Sequence, residues 1–291
     1  MVRPPKPVTI TAHDGTPLSA TLFLPEADAW HPITVVAGAT GIAQRFYAPF
    51  AEALAARGRP ALTFDYRGIG KSLLGPVGRS DVRFSDWGKR DVPAVIAWAK
   101  ENFPHLPLHW VGHSYGGGFG PGLAPNAGMI DRVVSVAATF GYWGEMSRPE
   151  SYRVRFMAVA AMPVMLAAAG YLPGRFSGLG ADLPPGVTRE WRGLILNERR
   201  VFDDPVFDAG RSFALSSASM LFLHIADDPW ANARAVSRIA SAFTGARTTI
   251  RRLEAAPGTR IGHVGFFRAS FAQSLWPVAF DWLDTAANPE R

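Results

Sequence analysis

The chain of 291 residues contains no cysteine. That one absence excludes disulfides, thiolate zinc sites, iron–sulfur clusters and a cysteine nucleophile together, and it leaves the redox compartment open. Lysine is nearly missing as well: of 30 basic residues only Lys6, Lys71, Lys89 and Lys100 are lysines. The rest are arginines scattered along the chain, with Arg199-Arg200 and Arg251-Arg252 the densest pairs. A formal net charge of +6 would suit an acidic partner. No basic arm interleaved with aromatics and no helix-turn-helix or RNP-like signature accompanies it, so nucleic-acid binding is not expected. The arginine excess reads as a codon-usage bias rather than a binding surface. No carboxylate cluster has metal-ligand spacing, and no G-x-G-x-x-G follows the first strand. Neither a metal nor a cofactor is therefore expected. The opening MVRPPKPVTI lacks an apolar signal region, which makes a cytoplasmic location the default expectation.

What the sequence does contain is core-forming material: 48% hydrophobic and 12% aromatic residues, with 19% charged. A chain of this size buries roughly three-quarters of its unfolded surface and needs no staples. Residues 8–24 read as two strands turning at Asp14-Gly15. Uninterrupted apolar strands follow at 33–40, 61–66, 108–114, 132–139 and 220–226, with a further strand at 248–254. Helical spacing recurs at 46–57, 86–103, 232–243 and 268–284. Strands that are apolar throughout and alternate with helices predict a mostly parallel α/β sheet covered on both faces. The rhythm stops between 141 and 218, so 1–140 and 219–291 read as one core with an insertion. Within it, Phe156–Leu172 is the longest apolar run, interrupted by Pro163 and Gly170 and short for a bilayer span of ~20 residues. A buried or lid helix is expected there, not a membrane association.

The strongest local signal is Gly112-His113-Ser114-Tyr115-Gly116, which matches G-x-S-x-G directly after an apolar strand. A serine on a tight strand-to-helix turn takes a strained backbone, so the positions two before and two after it must be small. The bland reading is a glycine-rich turn with a passive serine. Two further residues weigh against it. Strand 220–226 ends at Asp227-Asp228-Pro229, where acids of parallel sheets meet ligands. Asp228 is favoured as the acid on its place before Pro229, with Asp227 the alternative. His263, between Gly262 and Val264, is the one histidine after that acid. A lone loop histidine is usually just solvated, but Ser, Asp and His in this order suit a nucleophile, its orienting acid and its base. The Tyr115 N–H would face the oxyanion site, and a second donor would come from the loop after 33–37: Ala39 by position, then Thr40. Arg67-Gly68-Ile69-Gly70-Lys71-Ser72 imitates the end of a P-loop, but Asp65 stands where its first glycine belongs. That stretch is expected to be a structural loop, with Arg67 hydrogen-bonded to neighbouring carbonyls.

Taken together, DYRGIGKS (65–72), GHSYGG (112–117), GYLPG (170–174), LPPGVTREW (183–191) and GHVGFFR (262–268) resemble the α/β-hydrolase superfamily. More narrowly they are similar to a group of predicted bacterial serine α/β-hydrolases. The resemblance spans essentially the whole chain. It implies an α/β-hydrolase fold: a mostly parallel eight-stranded sheet with helices on both faces and a helical lid inserted after the sixth strand, at 141–218. It also implies Ser114 as nucleophile, His263 as base and Asp228 as orienting acid.

The expected chemistry is hydrolysis of an ester or thioester of a small to medium apolar acid through an acyl-enzyme. The insertion offers Trp143, Phe156, Met157, Met162, Met165, Leu166 and Tyr171 as pocket walls, although such spacing more often marks a helix's own core. Two other functions stay open from sequence. One is acyl transfer, or cofactor-free C–C or oxygen chemistry on the same residues; the other is a non-catalytic binder of an apolar ligand. Neither substrate identity nor oligomeric state is legible in the chain.

Overall fold

A computed structural model of the chain describes residues 2–27, 30–174 and 180–285. Eight strands form one sheet in the order β1-β2-β4-β3-β5-β6-β7-β8. The first two, β1 (Lys6–Thr11) and β2 (Pro17–Phe23), make the antiparallel hairpin expected around Asp14-Gly15, and Gly15 takes the left-handed φ of 81° that the turn demands. From β4 outward every pairing is parallel: β3 (Ile33–Ala37), β4 (Ala61–Phe64), β5 (Leu108–His113), β6 (Arg132–Val136), β7 (Ser219–Ile225) and β8 (Arg247–Leu253). Strands β3 to β6 are buried at every residue, as an apolar strand packed on both faces must be. By contrast β8 is exposed for six of its seven residues and carries Arg247, Arg251 and Arg252 along the sheet edge. Charge there opposes edge-to-edge pairing.

Two helices depart from the regular α form, each for the same reason. The helix continuing to Asn102 has a π turn at Trp87–Asp91, and the helix Glu150–Ala169 has one at Met157–Ala161. Each π turn ends directly before a residue followed by proline, Pro93 and Pro163. A proline ring inside a helix clashes with the preceding turn and removes one N–H, so the turn widens to accommodate it. The last helix begins at Trp276 rather than near 268, because Pro277 suits a first turn and two 3-10 turns occupy Gly265–Phe267 and Ala269–Phe271.

Between β6 and β7 the chain leaves the sheet and runs through helices that include Glu150–Ala169 and Pro185–Leu196. Positions 175–179 of this insertion lie outside the described residues. The helix Glu150–Ala169 is long and apolar enough, by length and composition, to cross a membrane. It is less buried than its sequence suggests. Val154, Ala158 and Met162 pack into the core, whereas Phe156, Val159 and Val164 are exposed at 69%, 53% and 65%.

The loop 65–72 is structural, but not as expected. The Arg67 guanidinium meets carboxylates rather than carbonyls: Nε donates to Asp91 at 2.5 Å and Nη1 to Asp14 at 2.7 Å. Asp91 is fully buried, so removing Arg67 would leave its carboxylate without a counter-charge in the interior.

Candidate active site

Every candidate residue sits beyond the carboxyl end of a parallel strand. Ser114 follows β5 directly, Asp228 lies just past β7, His263 follows β8, and residues 38–41 follow β3. At that edge the backbone turns outward and loops from several strands converge.

Ser114 adopts φ +51°, a left-handed conformation that a side chain rarely takes. The surrounding glycines explain how the turn closes so tightly. A Cβ on Gly112 would lie 2.0 Å from the Gly116 carbonyl oxygen, and one on Gly116 would lie 2.4 Å from that of Ala37. Backbone therefore packs on backbone at both positions, and only hydrogen fits. Trp110 Nε1 donates to the Gly116 carbonyl at 2.7 Å and fixes the turn from the core side.

The turn presents the Ser114 hydroxyl to His263, whose Nε2 lies 3.1 Å from Oγ. The other ring nitrogen, Nδ1, lies 2.8 Å from Asp228 Oδ2. Asp228 Oδ1 accepts the Trp230 and Ala231 amides at 2.8 and 3.2 Å, so the carboxylate is fixed from both sides. Burial alone would raise the Asp228 carboxyl, but the attraction and hydrogen bond of His263 and the two amides hold it below the ordinary carboxylate range. For His263 burial works toward the neutral form. The charge and hydrogen bond of Asp228, with Glu150 further off, outweigh it and raise the imidazole.

Asp227 has a different partner set. Its Oδ1 accepts the Gly262 amide at 2.8 Å and its Oδ2 the Ile261 amide at 3.0 Å. It ties down the loop that carries His263 and does not contact the imidazole. The two neighbouring acids thus divide into one that touches the ring and one that holds its backbone.

The oxyanion side requires a correction. Ala39 is the expected donor by position, but its N–H donates to the buried Tyr47 hydroxyl at 2.8 Å. Among the described residues the Thr40 N–H has no acceptor, which leaves Thr40 of the two donors expected from that loop. Tyr115 lies in the first turn of the helical segment that starts at Ser114, where an N–H has no acceptor within the helix.

Above these groups lies a cavity of about 480 Å³, within the ~300–1,000 Å³ range of small-molecule sites. Ser114, Tyr115, Thr40 and His263 line it. Of the seven walls anticipated from the insertion only Met157 is present. Phe156 points to solvent, and Met162 is buried in the core. Trp143 packs under the Arg155 guanidinium at 4.7 Å. Met165, Leu166 and Tyr171 also stand away from the cavity. The aromatic walls instead come from Phe46, Phe84, Phe119, Phe140, Trp191 and Trp230. Arg153 and Arg268 add positive charge; Glu150 pairs with Arg153 and also accepts Trp230 Nε1 at 2.6 Å. A larger polar cleft of about 780 Å³ around Arg67, Arg79 and Lys89 is lined by none of the serine, histidine or acid above.

Fold and site together define an α/β-hydrolase. The chain belongs to the family described as serine aminopeptidase, S33 (Hydrolase_4), whose model matches residues 31–177, just over half of the sequence. That stretch includes loop 38–41 and Ser114 and ends before Asp228 and His263. Solved structures of the same fold include an esterase from Pyrococcus furiosus, 16% identical with TM-score 0.59, over 96% of this chain and 89% of that one. An esterase from Pyrobaculum calidifontis is 14% identical with TM-score 0.59, over 99% of this chain and 87% of that one. The enol-lactonase of Burkholderia xenovorans is 18% identical with TM-score 0.55, over 95% and 99%. No curated protein matches the chain.

Proposed function

We propose that the protein is a serine hydrolase that cleaves an ester or thioester of a small to medium apolar acid through an acyl-enzyme. The observation that carries this reading is the continuous contact from Ser114 Oγ to His263 Nε2 and from His263 Nδ1 to Asp228. In this reading Ser114 Oγ attacks the substrate carbonyl carbon while its proton passes to His263 Nε2. The Tyr115 and Thr40 N–H groups hold the developing oxyanion, each such donor being worth ~10²–10³ in rate. Asp228 keeps the imidazole proton on Nδ1 and stabilises the imidazolium. His263 then protonates the departing alkoxide or thiolate, and water, activated by the same nitrogen, releases the acid and returns Ser114 Oγ–H. The aromatic walls favour an apolar acyl group. The segment 141–218 serves as a lid in this reading, which the presence of its Met157 and Trp191 in the lining of the serine's cavity supports.

Ser114→Ala tests the proposal. Hydrolysis of a short p-nitrophenyl ester is expected to fall by ~10⁴–10⁶ with the fold intact. A fluorophosphonate probe is expected to label the wild type and not the variant. Activity above about a tenth of wild type would remove Ser114 from the mechanism.

A further inference from the structure

Tyr47 and His113 are both fully buried, and the chemistry above uses neither side chain. They nevertheless join two parts of the site. Ala39 N–H reaches the Tyr47 hydroxyl at 2.8 Å, that hydroxyl lies 2.8 Å from His113 Nδ1, and His113 Nε2 lies 2.8 Å from the backbone carbonyl oxygen of His263.

The direction of each proton follows from one end. A carbonyl oxygen can only accept, so His113 Nε2 carries the hydrogen. Burial, then the neighbouring His263, pushes the His113 imidazole down to about 3, so it is neutral and Nδ1 is an acceptor. Tyr47 therefore donates its O–H to Nδ1, and its oxygen is left to receive the Ala39 amide. The geometry is rigid as well as directed. Phe267 packs edge-on against Tyr47 with ring centroids 5.0 Å apart, and lies 5.3 Å from the His113 ring. A Cβ on Gly38 would come within 3.0 Å of the Tyr47 ring, so the loop after β3 seats directly on the phenol.

We propose that Tyr47 and His113 are positioning residues: a buried relay that sets the oxyanion loop and the backbone of the base relative to each other. At one end it ties the Ala39 N–H inward, which leaves the Thr40 N–H to face the oxyanion. At the other it anchors His263 through its own carbonyl, complementing the hold of Asp228 on the ring. The proposal rests on the serine-hydrolase reading, because only that reading requires donor and base to share one frame.

Two measurements on the full chain test it. The first needs no turnover. Nitrogen NMR of ¹⁵N-histidine-labelled protein is expected to show His113 neutral, with its proton on Nε2. A proton on Nδ1 would overturn the relay. The second compares Tyr47→Phe with two replacements of His113. His113→Asn keeps an acceptor near Tyr47 and loses the donor to His263, while His113→Gln does the reverse. Each variant is expected to lower kcat by roughly 10- to 100-fold per fluorophosphonate-labelled site, with KM nearly unchanged, as a displaced catalytic group does. Tyr47→Phe combined with His113→Asn is expected to fall within about threefold of the worse single variant, since one chain is broken once. A role confined to stability would lower the melting temperature or the labelled fraction and leave kcat per labelled site within about twofold, and that result overturns the relay. If the wild type itself fails to label, the serine-hydrolase reading falls and the positioning role falls with it. A labelled wild type with unaffected variants overturns the relay alone.

Discussion

Replacing Asp228 by Asn separates the orienting role proposed for this carboxylate from its place in the fold. Oδ1 already accepts two amides, from Trp230 and Ala231, and an asparagine keeps those bonds by placing its carbonyl oxygen there. Its NH₂ group must then face His263 Nδ1, which sat 2.8 Å from Oδ2. Two donors cannot share that line, so the imidazole moves its proton to Nε2. The nitrogen 3.1 Å from Ser114 Oγ would then present a hydrogen to the hydroxyl instead of a lone pair. The wrong tautomer costs ~10⁴ in kcat where this geometry occurs, equivalent to about 5.5 kcal/mol of transition-state stabilisation. Stability should change little, because no amide loses its acceptor. Asp227→Asn is the matched control. Its two oxygens accept the Ile261 and Gly262 amides, so the change loosens the loop under His263 without touching the ring. A loss below about tenfold is expected there. The assay is p-nitrophenyl ester hydrolysis normalised to fluorophosphonate-titrated sites, with melting curves alongside. Equal, mild losses at both positions would refute the reasoning, as would a large loss only at Asp227.

Two pH effects follow from the same electrostatics. His263 is raised above the ordinary histidine value of 6.5, because Asp228 overcomes the effect of burial. A base must be neutral to take the serine proton, so kcat/KM is expected to decline on the acid side with a midpoint above 6.5. In Asp228→Asn the residual activity should have its midpoint at lower pH; an unmoved midpoint would count against the pairing. His109 concerns stability instead. It is buried, accepts Arg59 Nη1 at 3.3 Å, and is pushed down to about 3 by burial and then by the Arg59 and Arg132 charges. The unfolded chain binds that proton near 6.5 and the folded one does not. Stability from this group is therefore complete above 6.5 and declines as pH falls toward 3, by about 2 kcal/mol at pH 5. His109→Asn retains an acceptor for Arg59 without the titration. Urea unfolding at pH 8 and pH 5 should show a smaller difference for the variant than for wild type, and an unchanged difference would refute the assignment.

The sheet was legible because its information is local. Four buried strands read as apolar runs, Asp14-Gly15 marked the hairpin, and the glycines at 112 and 116 marked a turn where backbone packs on backbone. Ser114, Asp228 and His263 could be singled out because the first two closely follow apolar strands and His263 lies in a glycine-flanked loop after the last one. What stayed hidden depends on contacts between residues remote in sequence. Nothing near Ala39 signals that its amide is taken by the Tyr47 hydroxyl; that requires knowing how the following helix packs. The cavity walls were misread for a related reason. The run from Phe156 to Leu172 is apolar on every side, so periodicity could not distinguish the inward Met157 from the outward Phe156. The walls that line the cavity, such as Phe46, Phe84 and Trp230, lie singly in loops and short turns where no pattern announces them.

The arginine excess is where the structure most changes the sequence reading. Several of these side chains make bonds that lysine, with one nitrogen, could not make together. Arg59 reaches His109 through Nη1, the Leu283 carbonyl through Nη2, and the Asp284 carboxylate through Nε and Nη2. Arg67 spans Asp14 and Asp91, which belong to the hairpin turn and to a helix on another part of the sheet. Arg192 donates Nε to the Ala158 carbonyl at 2.6 Å, within the π turn that precedes Pro163, and so joins the helices Glu150–Ala169 and Pro185–Leu196. A planar fork with several fixed donors performs such bridging, whereas a single ammonium group offers only a point charge. Guanidinium groups stand at all three of these junctions. The fold uses them as cross-braces, and two of the three lie in the interior, where a lysine would leave acceptors unmet.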